Sequence, residues 1–412
     1  NPRHLRPHAT ANADGHVDPQ SSSHDLLAKR RADSNRNSTG GMRRLVCPHI
    51  GWAVMPQNVR ASANSCRNDN GANTMKRKAA ALTAIACALG AQALAAETTY
   101  PLTVENCGHT LTFDEAPDSA VTVGQSTTEI LYLMDQSDKV AGTSVWFNPV
   151  LPEFEEVNNK IERLADNDPS FETIVNKKPE LVTIMYEWHI GPEGLIATRE
   201  NFHDVDVPTY VMLTDCAAKD NTVGIDGTRS ELFSTELLYS SINDLATILN
   251  AQDKGKTLVD SLKEREASAI AKAQDLALPE GTSAVFWFSS ADMEADPYVA
   301  GQKGVSAYMM DKLGVQNVVQ SDEEWPVVGW ETIAKADPTF IVIAEMDRRR
   351  FPADDVEMKR QFLQNDPVAK EMTAVKEGRI ITIDAHAMSP TVRAIFALDQ
   401  VASELQGFGL TQ

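Results

Sequence analysis

Basic charge is scarce in this 412-residue sequence, which has 38 Lys and Arg against 58 Asp and Glu. The deficit is uneven: residues 1–96 carry 13 basic and 5 acidic residues, leaving 25 against 53 from residue 97 onward. A body of net charge −28 repels phosphate backbones and anionic lipid, so nucleic-acid binding and membrane adsorption are excluded as its main activity. No apolar run approaches the ~20 residues that a membrane span needs. The motifs of common enzymes are missing too: no Walker loop, no G-x-G-x-x-G opening a helix and no G-x-S-x-G elbow. An enzyme would have to be a secreted hydrolase built on scattered Asp and Ser, and no cofactor is expected. Beyond residue 96 only His109, His189, His203 and His386 occur, with no short-spaced His pair. A dedicated site for a bare transition ion, which wants three or four close ligands, is therefore not expected. The remaining metal option is His189 and His386 meeting across a cleft beside Glu187.

Residues 1–74 are rich in Asn, Ser, Arg and His without a sustained apolar period, and are expected to be disordered and to lie upstream of the true start. Residues 75–96 read as a signal peptide: Met75-Lys76-Arg77-Lys78 is a cationic start, Ala79–Leu89 an apolar run, and Ala93-Leu94-Ala95 a small-x-small cleavage pattern. A buried Ala-rich helix is the competing reading. Export to the periplasm follows from the first. Cys87 inside the apolar run lacks Leu three residues before it, which disfavours lipid attachment. Cys107 and Cys216 then remain as an even pair in an oxidising compartment, either one disulfide or two buried thiols.

From residue 97 a β-hairpin pattern, Leu102-Thr103-Val104 and Leu111-Thr112-Phe113, is followed by α/β alternation. Short β-type runs begin at Ala120, Leu181, Thr209, Ala284, Phe340 and Ile380, and helical stretches separate most of them, which implies parallel sheets covered on both faces. Ser126 is the expected N-cap of the helix after the first run, with Glu129 at the capping-box position. One segment repeats: Phe171-Glu172-Thr173-Ile174, Pro179 and a β-type run return as Trp330-Glu331-Thr332-Ile333, Pro338 and a β-type run. Between the copies, Lys254–Asp275 lacks Pro and puts Leu258, Leu262 and Ala269 on one stripe. The expected architecture is α/β: two Rossmann-like lobes with parallel sheets, at 97–250 and 277–412, joined by one long α-helix at 251–276.

This order of pieces, closing on Glu377-Gly378-Arg379-Ile380-Ile381-Thr382-Ile383-Asp384, resembles periplasmic substrate-binding proteins of ABC importers for ferric siderophores, haem and cobalamin. Glu105-Asn106-Cys107-Gly108, Pro169-Ser170-Phe171-Glu172, Thr214-Asp215-Cys216 and Asp226-Gly227-Thr228-Arg229 resemble a branch attributed to import of a deazaflavin cofactor precursor. The resemblance implies a monomer that captures a small molecule, an iron chelate among the options, and hands it to membrane permease subunits. It also implies that Glu172 and Glu331 dock onto those subunits, and both sit early in expected helices, where the dipole favours a carboxylate.

Ligands of open α/β sheets bind beyond the carboxyl ends of the strands. That rule selects Gln125, Trp146, Phe147, Tyr186, Trp188, Phe288, Arg348, Arg349, Arg350, His386 and Met388, with Trp325 as a further wall. Flat rings cover a planar ligand and Arg pairs with its carboxylates or phosphates, so the expected ligand is anionic. A receptor for a bare metal ion is the alternative within binding proteins.

Overall fold

The computed structural model describes residues 97–223 and 226–410. The signal-peptide and leader expectations, Cys87 included, lie outside the described residues. The first lobe opens on an antiparallel hairpin, β1 (Leu102–Asn106) with β2 (His109–Phe113). It continues through β3 (Ala120–Val123), α1 (Gln125–Leu133), β4 (Val140–Ser144), α2 (Glu155–Asn158), β5 (Arg163–Ala165), α3 (Phe171–Val175), β6 (Leu181–Ile184), α4 (Arg199–His203) and β7 (Thr209–Val211). These strands form one parallel sheet in the order β5-β4-β3-β6-β7. Every residue of β3 and β6 is buried, as continuous apolar runs covered on both faces require.

A two-residue hairpin, β8 (Lys219–Asp220) with β9 (Thr228–Arg229), leads to α5 (Thr235–Ile248) and then α6 (Gln252–Asp275). At 24 residues and ~1.5 Å per residue, α6 is a rod of about 36 Å. Leu258, Leu262 and Ala269 lie on its buried side. Glu266 on α6 accepts from Tyr239 of α5 (2.6 Å) and from Tyr308 of the second lobe, so the rod grips both halves with one carboxylate.

The second lobe runs β10 (Ser283–Ser289), β11 (Tyr298–Val299), α7 (Val305–Leu313), β12 (Gln316–Asn317), α8 (Trp330–Ala336), β13 (Phe340–Glu345), α9 (Val356–Asn365), α10 (Thr373–Lys376), β14 (Ile380–Asp384) and α11 (Val392–Gly407). Its sheet has the order β11-β10-β13-β14, with β12 also on β10. Here the expectation of purely parallel sheets needs correction: β11 pairs antiparallel with β10. The chain returns from β10 through a short loop rather than a helix, and only a crossover helix of a dozen or more residues permits parallel pairing.

The sequence repeat corresponds to equivalent helices. α3 and α8 each begin at the aromatic residue, carry an exposed Glu in the first turn and bury the Ile two residues later, Ile174 and Ile333. The N-cap expected at Ser126 is corrected. α1 starts two residues earlier, with Gly124 as its N-cap, whose φ is 132° and where a Cβ would lie 2.3 Å from the Met185 Cβ. Only glycine fits so close an approach of β3 to β6 in that conformation. Freed from a capping role, Glu129 points toward the second lobe.

Although the two sheets are separate, one buried apolar cluster runs from Val123 and Ile184 through Phe147 and Ala385 to Phe286 and Val342. The base of the seam between the lobes is therefore closed by shared core, and any ligand space lies above it.

Candidate functional site

The seam lies at the carboxyl ends of both sheets, where β3 hydrogen-bonds β4 on one side and β6 on the other, the reversal point that leaves a crevice. Five chain segments turn out of strands into it, bringing Phe147, Tyr186, Phe288, Arg348 and Ser389. Two of these form a partition. The Arg348 guanidinium carbon sits 4.0 Å from the Phe147 ring centroid. The backbone nitrogens of Asp347 and Arg348 donate to the Phe147 carbonyl at 3.1 and 3.0 Å. On one side is an inner chamber of about 350 Å³, and on the other an outer chamber of about 730 Å³.

The inner chamber is walled by rings from both lobes. Tyr186 and Trp188 of the first lobe lie 5.7 Å apart and nearly parallel, at 16°. Phe288 and Trp325 of the second lobe lie 4.9 Å apart at 37°. Tyr186 donates to the Ser389 hydroxyl across the seam at 3.1 Å, and burial pushes its phenol well above the usual range, so it stays neutral. Beneath Trp188 the buried His189 ring stacks at 3.9 Å, with Nδ1 3.0 Å from the Tyr186 carbonyl and Nε2 3.1 Å from Asp168. That contact holds the Asp168 carboxyl below its usual value against the opposing effect of burial.

Charge in the inner chamber is mixed. Arg348 and Arg350 face it together with Asp168, Asp226 and Asp354. Asp354 is spoken for, accepting from Ser289 Oγ (2.6 Å) and from the backbone of Arg350 (2.7 Å) and Phe351 (2.9 Å). It thereby shapes the loop that presents Arg350. Burial lifts the Asp226 carboxyl to about 7, with Lys219 opposing and Asp215 and Glu324 adding to the rise. The Arg348 Nε is buried and has no hydrogen-bond partner among the described residues. An unpaired buried donor costs free energy unless a ligand completes it.

Tyr186, Trp188, Trp325, Arg348 and Arg350 thus reach the inner chamber, whereas Trp146 and Arg349 line the outer one with Arg348. Gln125, His386 and Met388 reach neither. Gln125 is buried in α1, where its Nε2 donates to Glu129 at 3.0 Å and its Oε1 accepts from Phe147 N at 3.1 Å; it orders the chain that carries Phe147. His386 is stacked behind Phe147 at 5.4 Å, and burial with Arg393 and Arg348 nearby pushes its pKa well below the ordinary range. Met388 is core. His189 and His386 occupy different places, each against its own ring, so they do not form the shared site with Glu187 that the sequence left open. Asp168, Asp226, Tyr298 and Ser389 escaped the sequence rule. Only the Asp-Pro before the repeated segment and the Asp-Gly at 226–227 could have marked two of them.

The far side of the seam is crossed by residues 227–233. Glu324 donates its backbone N–H to the Gly227 carbonyl (3.0 Å), Arg229 pairs with the buried Glu324 carboxylate (2.7 Å), and Phe233 donates to the Lys303 carbonyl (2.7 Å). Between β7 and β8, ahead of this strap, Cys216 is joined to Cys107 in the β1–β2 turn, with Cα atoms 5.8 Å apart.

Residues 121–387 match the family model described as periplasmic binding protein. The chain belongs to the periplasmic binding protein family. This periplasmic binding protein is 22% identical over 308 residues to an ABC transporter substrate-binding lipoprotein of Bacillus subtilis, uncharacterised itself, covering 74% of this chain and 86% of that one. Among solved structures it is similar to a periplasmic binding protein from Veillonella parvula, with TM-score 0.61 and 23% identity over 74% of this chain and 97% of that chain. It is also similar to an ABC-type Fe3+-hydroxamate transport system protein from Saccharomonospora viridis, with TM-score 0.59 and 22% identity, covering 74% and 99%. At these identities the solved structures establish the fold. No helix among the described residues of this periplasmic binding protein is long and apolar enough to cross a membrane.

Proposed function

We propose that this chain is the periplasmic receptor of an ABC importer, and that it takes up a flat, conjugated, anionic ligand in the inner chamber. The observation that carries this reading is the facing of the Tyr186–Trp188 and Phe288–Trp325 ring pairs across a 350 Å³ space that also holds Arg348 and Arg350. Rings accept the faces of a planar ligand, and guanidinium groups take its anionic edge bidentately. Asp226, with its carboxyl near 7, accompanies such an anion without a full opposing charge below neutrality. Of the ligand classes that the family resemblance suggests, haem and deazaflavin-like cofactors have that shape and charge, whereas a ferric trihydroxamate is octahedral and uncharged. Glu172 and Glu331, exposed in equivalent first turns of α3 and α8, serve as the two contacts for the permease subunits.

Titration with haemin and flavin mononucleotide, followed by quenching of tryptophan fluorescence, tests this. Saturable one-to-one binding of at least one of them, weakened at least tenfold in Trp188→Ala, is expected. Failure of both to bind saturably, tighter binding of an octahedral, uncharged ferric trihydroxamate, or turnover of the bound compound defeats the reading.

A further inference from the structure

We propose that the β8–β9 ribbon is a spacer between the lobes that sets the gap between the two ring walls, with Asn221 and Arg229 as its positioning residues. This rests on the ring-slot reading above for what the gap holds, and it assigns the residues that fix its width.

The ribbon and the turn leading into it bond to residues directly beside the rings of both walls. On the first-lobe side Asp215 accepts from the Glu187 N–H at 2.6 Å, and Glu187 stands between Tyr186 and Trp188 in the chain. Asn221 donates to the Glu187 carboxylate at 2.8 Å and to the Asp215 carbonyl at 2.7 Å. On the second-lobe side the Gly227 carbonyl accepts from the Glu324 N–H at 3.0 Å, and Arg229 pairs with the Glu324 carboxylate at 2.7 Å. Glu324 immediately precedes Trp325. Thr228 also pairs antiparallel with Glu323, so this segment lies on β9 as a third strand beside β8. From β8 to the second lobe is therefore two strand spacings, about 10 Å.

Buried charge holds this width. Lys219 and Arg229 are directly opposite in the ribbon. Lys219 pairs with Asp215 at 2.5 Å, and both this pair and Arg229–Glu324 are buried. Burial would lower the Lys219 pKa, but Asp215 of the first lobe, Asp226 and Glu324 of the second outweigh it and hold it raised. Such pairs tolerate little displacement, because parting the members leaves a charge in surroundings that do not solvate it.

Both ends of the spacer rest on fixed ground. Cys216, next to Asp215, is bonded to Cys107, and the neighbouring Asn106 side chain pairs with the carbonyl and N–H of Val211 in β7, at 2.7 and 2.8 Å. In the second lobe the Glu324 carbonyl accepts from the Gly301 N–H at 3.1 Å. A Cβ at Gly301 would lie 1.9 Å from the Glu323 carbonyl oxygen, so only glycine permits that approach. A ribbon fastened at both ends passes a displacement of one wall to the other.

Hydrogen exchange of single amides in the ligand-free protein tests the spacer, with each variant read in the lobe that its side chain does not bond. Arg229→Met, which frees Glu324 of the second lobe, is expected to speed exchange of the Glu187 N–H in the first about tenfold, and Asn221→Ala, which frees Glu187, to speed that of the Glu324 N–H about tenfold. Arg229→Lys, which keeps the charge, is expected to restore most of the protection. The Met212 N–H, bonded to the Ile184 carbonyl at 2.9 Å inside the first sheet, should exchange as in the parent and so show that the fold is intact. Asn221 is only part-buried, so Asn221→Ala decides the matter should Arg229→Met not fold. Exchange that rises only in the lobe whose bond was removed overturns the spacer. For whichever of haemin and flavin mononucleotide the parent binds, both variants are expected to speed dissociation about tenfold, and unchanged dissociation overturns the claim that the ribbon sets the gap. A parent that binds neither compound defeats the ring-slot reading, while the two amides still decide the spacer.

Discussion

Arg393 of the second lobe forms a buried bidentate ion pair with Glu129 of the first, its Nε 3.0 Å from Oε2 and its NH2 on Oε1. The same guanidinium reaches Asp384 and the Pro149 carbonyl. Asn148 completes the tie, donating to Asp384 (2.6 Å) and to the Glu345 carbonyl (3.0 Å). Burial alone would lower the Arg393 pKa, but Glu129 and Asp384 more than offset it and hold it raised. Removing one member of such a pair leaves a buried charge without its counterion. Arg393→Met is expected to lower the unfolding free energy by about 3–5 kcal/mol, measured by urea denaturation. An effect below about 1 kcal/mol would mean that the pair does not tie the lobes.

A second tie is covalent. The bond between Cys107 and Cys216 closes a loop across a sequence separation of 109 residues, long enough to restrict the unfolded chain strongly. Cys107→Ser with Cys216→Ser should cost about 2–4 kcal/mol in non-reducing conditions, and reductant should destabilise only the parent protein. Alkylation of both thiols in the native protein without reductant would show the bond absent.

Lys359 is buried with its ammonium donating to the Phe288 and Ala344 carbonyls, at 2.5 and 2.6 Å, at the ends of the strands that carry the second-lobe ring wall. Burial lowers its pKa to about 7, against an ordinary 10.5. Between those values the unfolded chain binds more protons than the folded one, so stability rises with pH across that window. Thermal unfolding followed from pH 7 to 10 is expected to show this rise, and Lys359→Met to flatten it. An equal slope in the variant would assign the effect elsewhere.

Asp226 gives the binding site its own pH dependence. Its carboxyl, lifted to about 7 by burial among Lys219, Asp215, Glu324 and Arg229, repels an anionic ligand once ionised. Affinity for flavin mononucleotide is expected to be higher in Asp226→Asn than in the parent at pH 8, where the carboxylate is a like charge, a comparison at one pH that leaves the phosphate's own titration out. At pH 6 the difference between Asp226→Asn and the parent should vanish, because the parent carboxyl is then protonated too. Equal affinities of variant and parent at pH 8 would reverse the assignment.

For transport, Glu172→Arg with Glu331→Arg should abolish uptake by the membrane complex while leaving ligand affinity within twofold, since both side chains are exposed and line neither chamber. Uptake at the parent rate would remove the docking role.

Much of the fold was legible in advance because it rests on local patterns. Short apolar runs such as Leu181–Ile184 and residues 340–344, each with Pro two residues before it, read as buried strands, and a Pro-free stretch with one apolar stripe reads as a long helix such as α6. Of the residues chosen because they lie beyond strand ends, Tyr186, Trp188, Arg348 and Arg350 line one chamber. The same rule included Gln125 and His386, because a strand end does not say which way a side chain turns. Gln125 turns into α1 toward Phe147, and His386 turns behind that ring.

What the sequence by itself determined is the α/β alternation, the duplicated Phe171–Glu172 and Trp330–Glu331 starts and the aromatic and cationic character of the seam, since each depends on residues near one another in the chain. Only the tertiary structure decided that Glu129 meets Arg393 rather than capping its own helix, that Phe147 and Arg348 divide the seam, and that Asp168 and Asp226 line the inner chamber. These are contacts between residues up to 264 positions apart. Their geometry comes from how two sheets and a rod pack, and no local periodicity encodes it.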